Sequence, residues 1–595
     1  MSRRPVAWAG LIGLVVAQVA TYAVIAILSR RFGFETEFQQ RPIPAVVVAF
    51  GICFAFYVAS LVVALRLPET RRLAATVFVA AILFRGILLS TTPIQEIDIY
   101  RYVWDGAVTS AGVNPFRYPP EVARDLAASR DLPESDATAG EELRTLRRIR
   151  ERSPAIDEAV GRVHFAELTT VYPPVSQLVF ALADRVTPDG ATLFTRVTVM
   201  KAVLLGFDLA TVVGVWWLVT RTGRHVGWVI GYAWCPLVIK EFANSGHLDS
   251  IAVGLSTVVA CFLLAPLVGS SRRPTIGWGA AAILLALSVG AKLYAVVLFP
   301  LFAVVVWRRL GMASVTAFGG VFAAVTALSL GPMFFVEAPP RAGGSESRPS
   351  IAVEAKGDSN DRATAEPLPP PGDRPDSASV APMKPADSGL SVFLSRWEMN
   401  DFLFLVAYEN LRPSDPSGAR PRPWFALVPD TWQGAWVDPI GQRLGLDPDR
   451  AAFLITRAIT GMVFVIIAAG LVLRVAKNPD PSIILESVFL TLAWFWLLAP
   501  TGNPWYWTWA LPFLPFARSR IWIAMSGLVL LYYLRFWLMY HWHDATVLGS
   551  PYNGTQFFDF VLTWVEFGPW FLWLALEAIL RSRRRMPMLQ GRAKQ

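Results

Sequence analysis

Long apolar runs, separated by short polar or basic stretches, recur along the whole chain. Runs of about 18 or more apolar residues are typical of transmembrane helices. The pattern predicts an all-α, polytopic integral membrane protein with about 13–15 transmembrane helices. The predicted spans are 7–28, 44–66, 73–90, 195–219, 226–242, 248–268, 276–290, 293–307, 313–336, 452–475, 482–500, 504–517, 520–540 and 557–580, with a further short one at 172–187.

Composition excludes a large soluble α-helical protein. Hydrophobic residues make up 54% of the chain and charged residues only 17%, whereas soluble domains average about 25% charged residues. The three cysteines, Cys53, Cys235 and Cys261, all lie in apolar runs, so no disulfide framework or CxxC site is indicated. The first apolar run is too long for a signal peptide and is predicted to be the first span.

The basic residues indicate topology rather than a nucleic-acid partner. The net charge is +9, but the arginines occur as short clusters between apolar runs, which is typical of cytoplasmic loops. This orientation predicts a multi-pass protein of the cell (inner or plasma) membrane whose segments 91–170, 246–250 and 502–507 face outside. The parity of the spans then requires that 172–187 is re-entrant, or that a neighbouring span is wrongly assigned.

Four regions follow from these patterns. Residues 1–336 form an N-terminal transmembrane module with the external loop 91–170, where charged helical stretches predict short amphipathic helices at the membrane surface. Residues 337–389, rich in Pro, Ser, Asp and Ala, are predicted to be a disordered external linker. Residues 390–450 form an ordered external segment, and 451–595 form a C-terminal transmembrane bundle.

The candidate chemistry begins in the stretch IQEIDIYRYVWDG, residues 94–106. On a helix Asp98, Arg101, Tyr102 and Asp105 are spaced i, i+3, i+4 and i+7 and share one face. A carboxylate at the external end of a span could take a proton from a sugar hydroxyl, and a neighbouring arginine would hold it in place. An interfacial aromatic belt with a surface ion pair explains the same spacing.

Two later stretches extend this cluster: GAVTSAGVNPFRYPP (106–120) and TTVYPPVSQLVFAL (169–182). The ordered set resembles membrane glycosyltransferases of the GT-C fold, and among them bacterial mannosyltransferases that use polyprenyl-phosphate mannose. Their first external loop has the pattern D-x-Y-x-Y-x-x-x-G followed by G-x-N-P-Y. The matching residues here are Asp98, Tyr100, Tyr102, Gly106, Gly112, Asn114 and Pro115, with Phe116 in place of the final tyrosine.

The resemblance implies an inverting sugar transfer in which Asp98 is the catalytic base. The donor would be a polyprenyl-phosphate sugar and the acceptor a hydroxyl of an envelope lipid or glycan, with membrane lipids as further partners. Because phosphate is already a fair leaving group, no cofactor and no metal are demanded, although a divalent metal is not excluded. The resemblance also implies substrate contacts from Tyr172, in the Tyr-Pro-Pro motif, and from Asn503, Trp505 and Tyr506.

The remaining candidates carry charge. His247 and Asp249 lie at a predicted helix N-terminus, whose positive end, with His247, could meet a phosphate. The alternative is structural: Ser245 or Asn244 caps the helix and Asp249 favours its dipole. Lys292 is a compact cation in apolar surroundings that suits the carrier phosphate, unless it snorkels to the interface. With these three, the predicted substrate-binding residues are Arg101, Tyr102, Asp105, Asn114, Tyr172, His247, Asp249, Lys292, Asn503, Trp505 and Tyr506.

The main rival function is a transporter or flippase of a lipid-linked sugar. Transporters usually place charged or broken helices near the membrane midplane and often contain internal repeats. In this chain the polar residues gather in predicted external loops and no repeat is evident, which favours the transferase. Trp397, Asn400 and Asp401 are expected to complete a lid over the cavity.

Overall fold

The computed structural model describes residues 3–126, 137–267, 269, 274–336, 389–415 and 420–592. Within these ranges the protein is helical, and the β-structure consists of one isolated bridge between Met399 and Thr501. The all-α prediction is therefore confirmed for the described residues. The predicted linker 337–389 lies outside them, apart from Gly389.

The helices follow the apolar runs closely, with additional short helices in the polar segments. The α-helices are Arg3–Ser29, Ile43–Ala64, Arg71–Leu89, Asp98–Ser110, Pro120–Asp125, Ala137–Arg152, Pro154–Gly161, Pro174–Arg185, Leu193–Arg221, Ile230–Ala233, Pro236–Val238, Asp249–Leu264, Pro274–Ala291, Phe299–Leu310, Met312–Phe334, Gly389–Arg396, Leu403–Leu411, Asp430–Leu444, Pro448–Lys477, Pro481–Leu498, Pro504–Trp507, Ile521–Leu528, Leu534–His541, Gly554–Phe557 and Thr563–Arg592. The 3₁₀ helices are Arg30–Phe32, Phe38–Gln40, Val226–Val229, Leu293–Leu298, Leu511–Phe516 and Val529–Tyr533, and the π-helices are Ile239–Ser245 and Phe558–Leu562.

Nine helical segments of the described chain are long and apolar enough to cross a membrane, which makes this a multi-pass membrane protein. They are Pro5–Phe32, Phe38–Ala64, Arg71–Leu89, Leu193–Arg221, Leu293–Leu310, Met312–Phe334, Pro448–Lys477, Pro481–Leu498 and Ile521–His541, and two shorter apolar helices are Asp249–Leu264 and Gly277–Ala291. Nine is fewer than the predicted 13–15 because other predicted spans are interrupted or form shorter helices. Pro236, which lacks a backbone N–H, begins a new short helix within the predicted span 226–242. The predicted span 504–517 forms only the short helix Pro504–Trp507 and the 3₁₀ helix Leu511–Phe516.

The predicted short span 172–187 does not form a membrane-crossing helix. Its helix, Pro174–Arg185, has 12 residues, fewer than the about 20 that cross a bilayer. It packs against the Asp98–Ser110 helix, where Tyr102 and Phe180 stack with ring centroids 4.5 Å apart. A Cβ atom added to Gly106 would lie 2.6 Å from the Phe180 carbonyl oxygen, so this close approach requires glycine.

A fully buried ion pair joins two of the membrane-crossing helices. Arg85 and Asp208 have side chains at most 1% exposed, and the guanidinium holds the carboxylate through two nitrogens. The Arg85 guanidinium also donates to the carbonyl oxygen of Ala233, and the Tyr232 hydroxyl donates to Asp208 at 2.7 Å. Every charge of this cluster is thus paired, as a polar group inside a membrane protein requires.

The interrupted segment after Arg221 shapes the site. It ends in the π-helix Ile239–Ser245 and turns at Gly246, whose φ of 74° is left-handed. A Cβ atom there would lie 2.7 Å from the Lys201 side chain, so glycine suits this position both in conformation and in space. After the turn, His247 faces Glu96, in the segment that precedes the Asp98–Ser110 helix, and Asp249 faces Lys292.

Candidate functional site

Segments from the whole chain enclose one large cavity of about 570 Å³. Nine of the sequence-predicted site residues line it: Asp98, Arg101, Tyr102, Tyr172, Asp249, Lys292, Asn503, Trp505 and Tyr506. These residues come from five separate stretches of sequence, and the fold brings them to one place. Volumes of about 300–1,000 Å³ are typical of small-molecule and cofactor sites.

Three predicted site residues lie outside this lining: Asp105, Asn114 and His247. Asp105 pairs with Arg101 at 3.2 Å and accepts a hydrogen bond from Gln177 at 3.3 Å. The Asn114 side chain accepts from the backbone N–H of Phe116 and donates to the carbonyl of Pro332. The side chains of Asp105 and Asn114 therefore make structural contacts within the protein. His247 is buried and packs on the cavity-lining Trp505.

Asp98 is the first residue of its helix, which places its carboxylate at the cavity. The Tyr172 hydroxyl forms a side-chain hydrogen bond with Asp98, and the Tyr172 ring packs edge-on against Tyr102 with centroids 5.0 Å apart. The Asp98 backbone N–H donates to the Glu96 side chain at 2.7 Å. Tyr172 therefore positions the side chain of the predicted base, and Glu96 positions its backbone.

Arg101, expected to hold Asp98, is anchored one turn further along the helix. Its guanidinium pairs with Asp105 and donates to the carbonyl oxygen of Leu168 at 2.9 Å. These contacts tie the Asp98–Ser110 helix to the chain that leads into Tyr172. Burial raises the pKa of Asp105 against the opposing charge of Arg101.

A buried network of ionisable groups lies beneath the cavity. His247 Nε2 is 2.9 Å from Glu96 Oε2 and 3.2 Å from Glu241 Oε2. Glu241 also pairs with Lys240 at 3.1 Å and accepts from the Tyr533 hydroxyl at 2.5 Å. Sequence reasoning missed Glu96 and Glu241; Glu96 stood inside the stretch 94–106, but nothing local connects it to His247.

The network keeps His247 charged. Burial opposes the imidazolium, but the carboxylates of Glu96 and Glu241 outweigh burial and raise the pKa of His247 to about 10. Reciprocally, burial opposes the Glu96 carboxylate, yet His247 holds the pKa of Glu96 below its usual value. The imidazolium and the two carboxylates thus depend on one another.

Lys292 and Asp249 form a second ion pair, on the cavity wall. Lys292 Nζ lies 3.2 Å from Asp249 Oδ2, and Trp509 Nε1 donates to Asp249 Oδ1 at 2.6 Å. The Lys292 ammonium also lies 4.9 Å from the ring centroid of Tyr506, a cation–π contact. Asp249, the first residue of its helix, therefore neutralises Lys292.

Aromatic rings form a continuous surface beside these charges. Trp505 stacks on His247 with centroids 4.3 Å apart, and Tyr506 stacks on Trp509 at 4.4 Å. Trp397 also lines the cavity and packs against Phe165. Of the expected lid residues, only Trp397 reaches the cavity; Asn400 and Asp401 are buried outside its lining.

Among the described residues, Glu96, Asp98 and His247 form the group best placed for a metal ion, with ligand atoms within 4.8 Å of one another. A histidine must be neutral to bind a metal. Here its Nε2 faces two carboxylates, which keep the imidazole protonated. Glu96 and His247 belong to the ion-pair network with Glu241, and the proposed chemistry uses no metal.

No protein-family model, curated protein or solved structure matches this chain. The likeness to GT-C transferases therefore depends on the sequence motifs alone, which are most specific at residues 98–120. The geometry of the cavity is an independent observation, and the two together lead to the proposal that follows.

Proposed function

We propose that the protein transfers a sugar from a polyprenyl-phosphate donor to a hydroxyl of an envelope lipid or glycan, on the external side of the cell membrane. The sugar is mannose if the resemblance extends to the donor. The observation that carries the proposal is Asp98, a carboxylate at a helix start that faces a cavity of about 570 Å³. The same cavity is lined by Lys292, Trp505 and Tyr506.

The chemistry is a single displacement. Asp98 accepts the proton of the acceptor hydroxyl, whose oxygen attacks the anomeric carbon of the donor sugar. The bond between that carbon and the phosphate oxygen breaks, and the electron pair leaves with the lipid phosphate. Because attack and departure occur on opposite faces, the anomeric configuration inverts. Tyr172, whose hydroxyl is hydrogen-bonded to the Asp98 side chain, orients the base.

The walls provide surfaces for both parts of such a donor. Sugar rings pack on aromatic faces, which Trp397, Trp505 and Tyr506 supply. Phe464 of the Pro448–Lys477 helix and Phe495 of the Pro481–Leu498 helix also line the cavity, with ring centroids 5.2 Å apart. These apolar side chains, on two membrane-crossing helices, suit a polyprenyl chain that enters from the bilayer.

The deciding experiment supplies purified protein in lipid with synthetic polyprenyl-phosphate mannose and follows release of the lipid phosphate. We expect turnover by the wild type and at least a 100-fold loss in Asp98→Asn, since general bases contribute about 10²–10⁴-fold. Asp438→Asn, at an exposed carboxylate of the Asp430–Leu444 helix, is the matched control. Equal turnover in Asp98→Asn and wild type would contradict the assignment of the base.

The transporter alternative predicts a different result. In sealed vesicles a flippase or transporter moves radiolabelled lipid-linked sugar across the bilayer without forming a covalent product. Such movement, together with no product from donors that carry mannose, arabinose, glucose or an amino sugar, would overturn the transferase proposal.

A further inference from the structure

Arg41 is a buried cation that lines the same cavity as Asp98. It lies between the 3₁₀ helix Phe38–Gln40 and the Ile43–Ala64 helix and is 8% exposed. Its Nη1 donates to Gln95 Oε1 at 3.0 Å, and its guanidinium carbon lies 4.5 Å from the Phe38 ring centroid. Its Nε atom is buried without an acceptor among the described residues.

The other cations of the site that were candidates for a phosphate are already neutralised. Lys292 is paired with Asp249, and Arg101 with Asp105, each at 3.2 Å. His247 lies between two carboxylates. Arg41 differs because its partners in the described structure are neutral: the Gln95 amide, the Gly33 carbonyl, the Tyr540 hydroxyl and the Phe38 ring.

Burying a cation without a counter-charge costs free energy. A side chain kept in this state by its neighbours is a candidate for binding an anionic ligand. Gln95, its main partner, has a left-handed φ of 52° and donates its own amide to the Tyr540 hydroxyl at 3.0 Å. Tyr540 in turn stacks on Phe38 with centroids 5.0 Å apart. The guanidinium is therefore held at the cavity wall by neutral groups of the described chain.

Gln95 also connects this cation to the base. It immediately precedes Glu96, whose side chain receives the backbone N–H of Asp98. Arg41 and Asp98 thus flank one short segment and face one cavity. A ligand that reaches both would present an anionic group to Arg41 and a reacting group to Asp98.

We propose that Arg41 binds the phosphate of the lipid-linked donor and of the lipid phosphate that is released. The inference rests on the proposed function and extends it to a residue before the motifs that carry the family resemblance. A guanidinium matches phosphate oxygens through parallel N–H donors. As the glycosidic bond breaks, negative charge grows on the phosphate, so Arg41 stabilises the transition state and product more than the bound donor.

The test measures binding without turnover, using full-length protein in lipid nanodiscs and three probes: farnesyl phosphate, farnesol and inorganic phosphate. We expect wild type to prefer farnesyl phosphate over farnesol by about 10- to 100-fold, as one charged hydrogen-bonding group contributes. Arg41→Gln should abolish that preference, and Arg41→Lys, which keeps the charge, should retain part of it. Tight binding of inorganic phosphate alone would identify a free-phosphate site and overturn the lipid assignment.

Arg443→Gln is the matched control, since Arg443 is exposed on the Asp430–Leu444 helix, outside the cavity lining, and its loss removes the same charge. We expect this variant to keep the preference for farnesyl phosphate within about threefold of wild type, as for a change of charge that makes no direct contact with the ligand. Arg457 also lines the cavity, so an unchanged preference in folded Arg41→Gln, or loss of the preference in Arg457→Gln instead, would overturn the proposal.

Turnover separates this inference from the proposed function. If Arg41 governs phosphate-dependent binding but no sugar is transferred, the anion site stands and the transferase proposal fails. If sugar is transferred and Arg41→Gln changes neither binding nor turnover, the transferase stands and the site is wrong. If the transferase proposal and the Arg41 site are both correct, Arg41→Gln should lower kcat as well as raise KM. The reason is that the contact between Arg41 and the phosphate strengthens in the transition state.

Discussion

His247 Nε2 lies 2.9 Å from Glu96 Oε2, and the same Glu96 side chain receives the backbone N–H groups of Ile97 and Asp98. The imidazolium therefore holds Glu96, whose side chain accepts the backbone N–H groups at the start of the helix that carries the predicted base. His247 is a positioning residue, since it acts on Asp98 through Glu96 and lies outside the cavity lining.

Replacement of His247 by glutamine should destabilise the protein by about 3–5 kcal/mol, because two buried carboxylates lose their shared counter-charge. Unfolding in denaturant, followed in the same detergent for each variant, measures the change. The double variant Glu96→Gln, His247→Gln should be less destabilised than the single one, since it removes a charge together with its partner. Equal or greater loss in the double variant would contradict the dependence of Glu96 on His247.

The stability of the protein should fall at alkaline pH through His247. Its folded pKa of about 10 lies above the ordinary value of 6.5, so the stabilisation is complete below 6.5 and is lost as the pH rises through 10. Melting temperatures between pH 6 and 11 should therefore fall more steeply in wild type than in His247→Gln. Parallel profiles would show that the imidazolium makes no such contribution.

Replacement of Arg85 by methionine should cost about 3–5 kcal/mol, because Asp208 is left as an unpaired charge inside the helix bundle. Arg85→Met combined with Asp208→Leu removes both charges and should recover part of the loss. Unfolding free energies of the two single variants and the double variant give the coupling energy of the pair. A coupling energy near zero would mean that the two side chains are stabilised independently.

Replacement of Gly106 by alanine should destabilise the protein by about 1–3 kcal/mol, because the new Cβ would lie 2.6 Å from the Phe180 carbonyl oxygen. The displaced helix carries Asp98, so sugar transfer should fall as well. Gly86→Ala is the matched control, since nothing lies within 4 Å of a Cβ atom there, and this variant should be neutral or slightly stabilised. Comparable melting temperatures for the two variants would contradict the close helix contact.

Several parts of the structure follow from the sequence alone. The predicted spans 44–66 and 73–90 correspond to Phe38–Ala64 and Arg71–Leu89, and the four residues expected to share one helical face all lie on the helix Asp98–Ser110. These features depend on the hydropathy and helical periodicity of residues that are neighbours in sequence, so a short stretch of sequence is enough to predict them. The lining residues Asp98, Tyr172 and Trp505 were chosen in advance from motifs that resemble those of GT-C transferases.

The pairing of the charges was decided only by the tertiary structure. Nothing near His247 in sequence indicates Glu96, nothing near Lys292 indicates Asp249, and nothing near Arg41 indicates Gln95. The sequence alone suggested Lys292 and His247 for a phosphate, whereas packing neutralises both. Arg41 lines the cavity with only neutral partners among the described residues. The partner of a charged residue is fixed only when helices distant along the chain pack together. Once the pair is buried, that partner determines whether the charge is neutralised or available to a ligand.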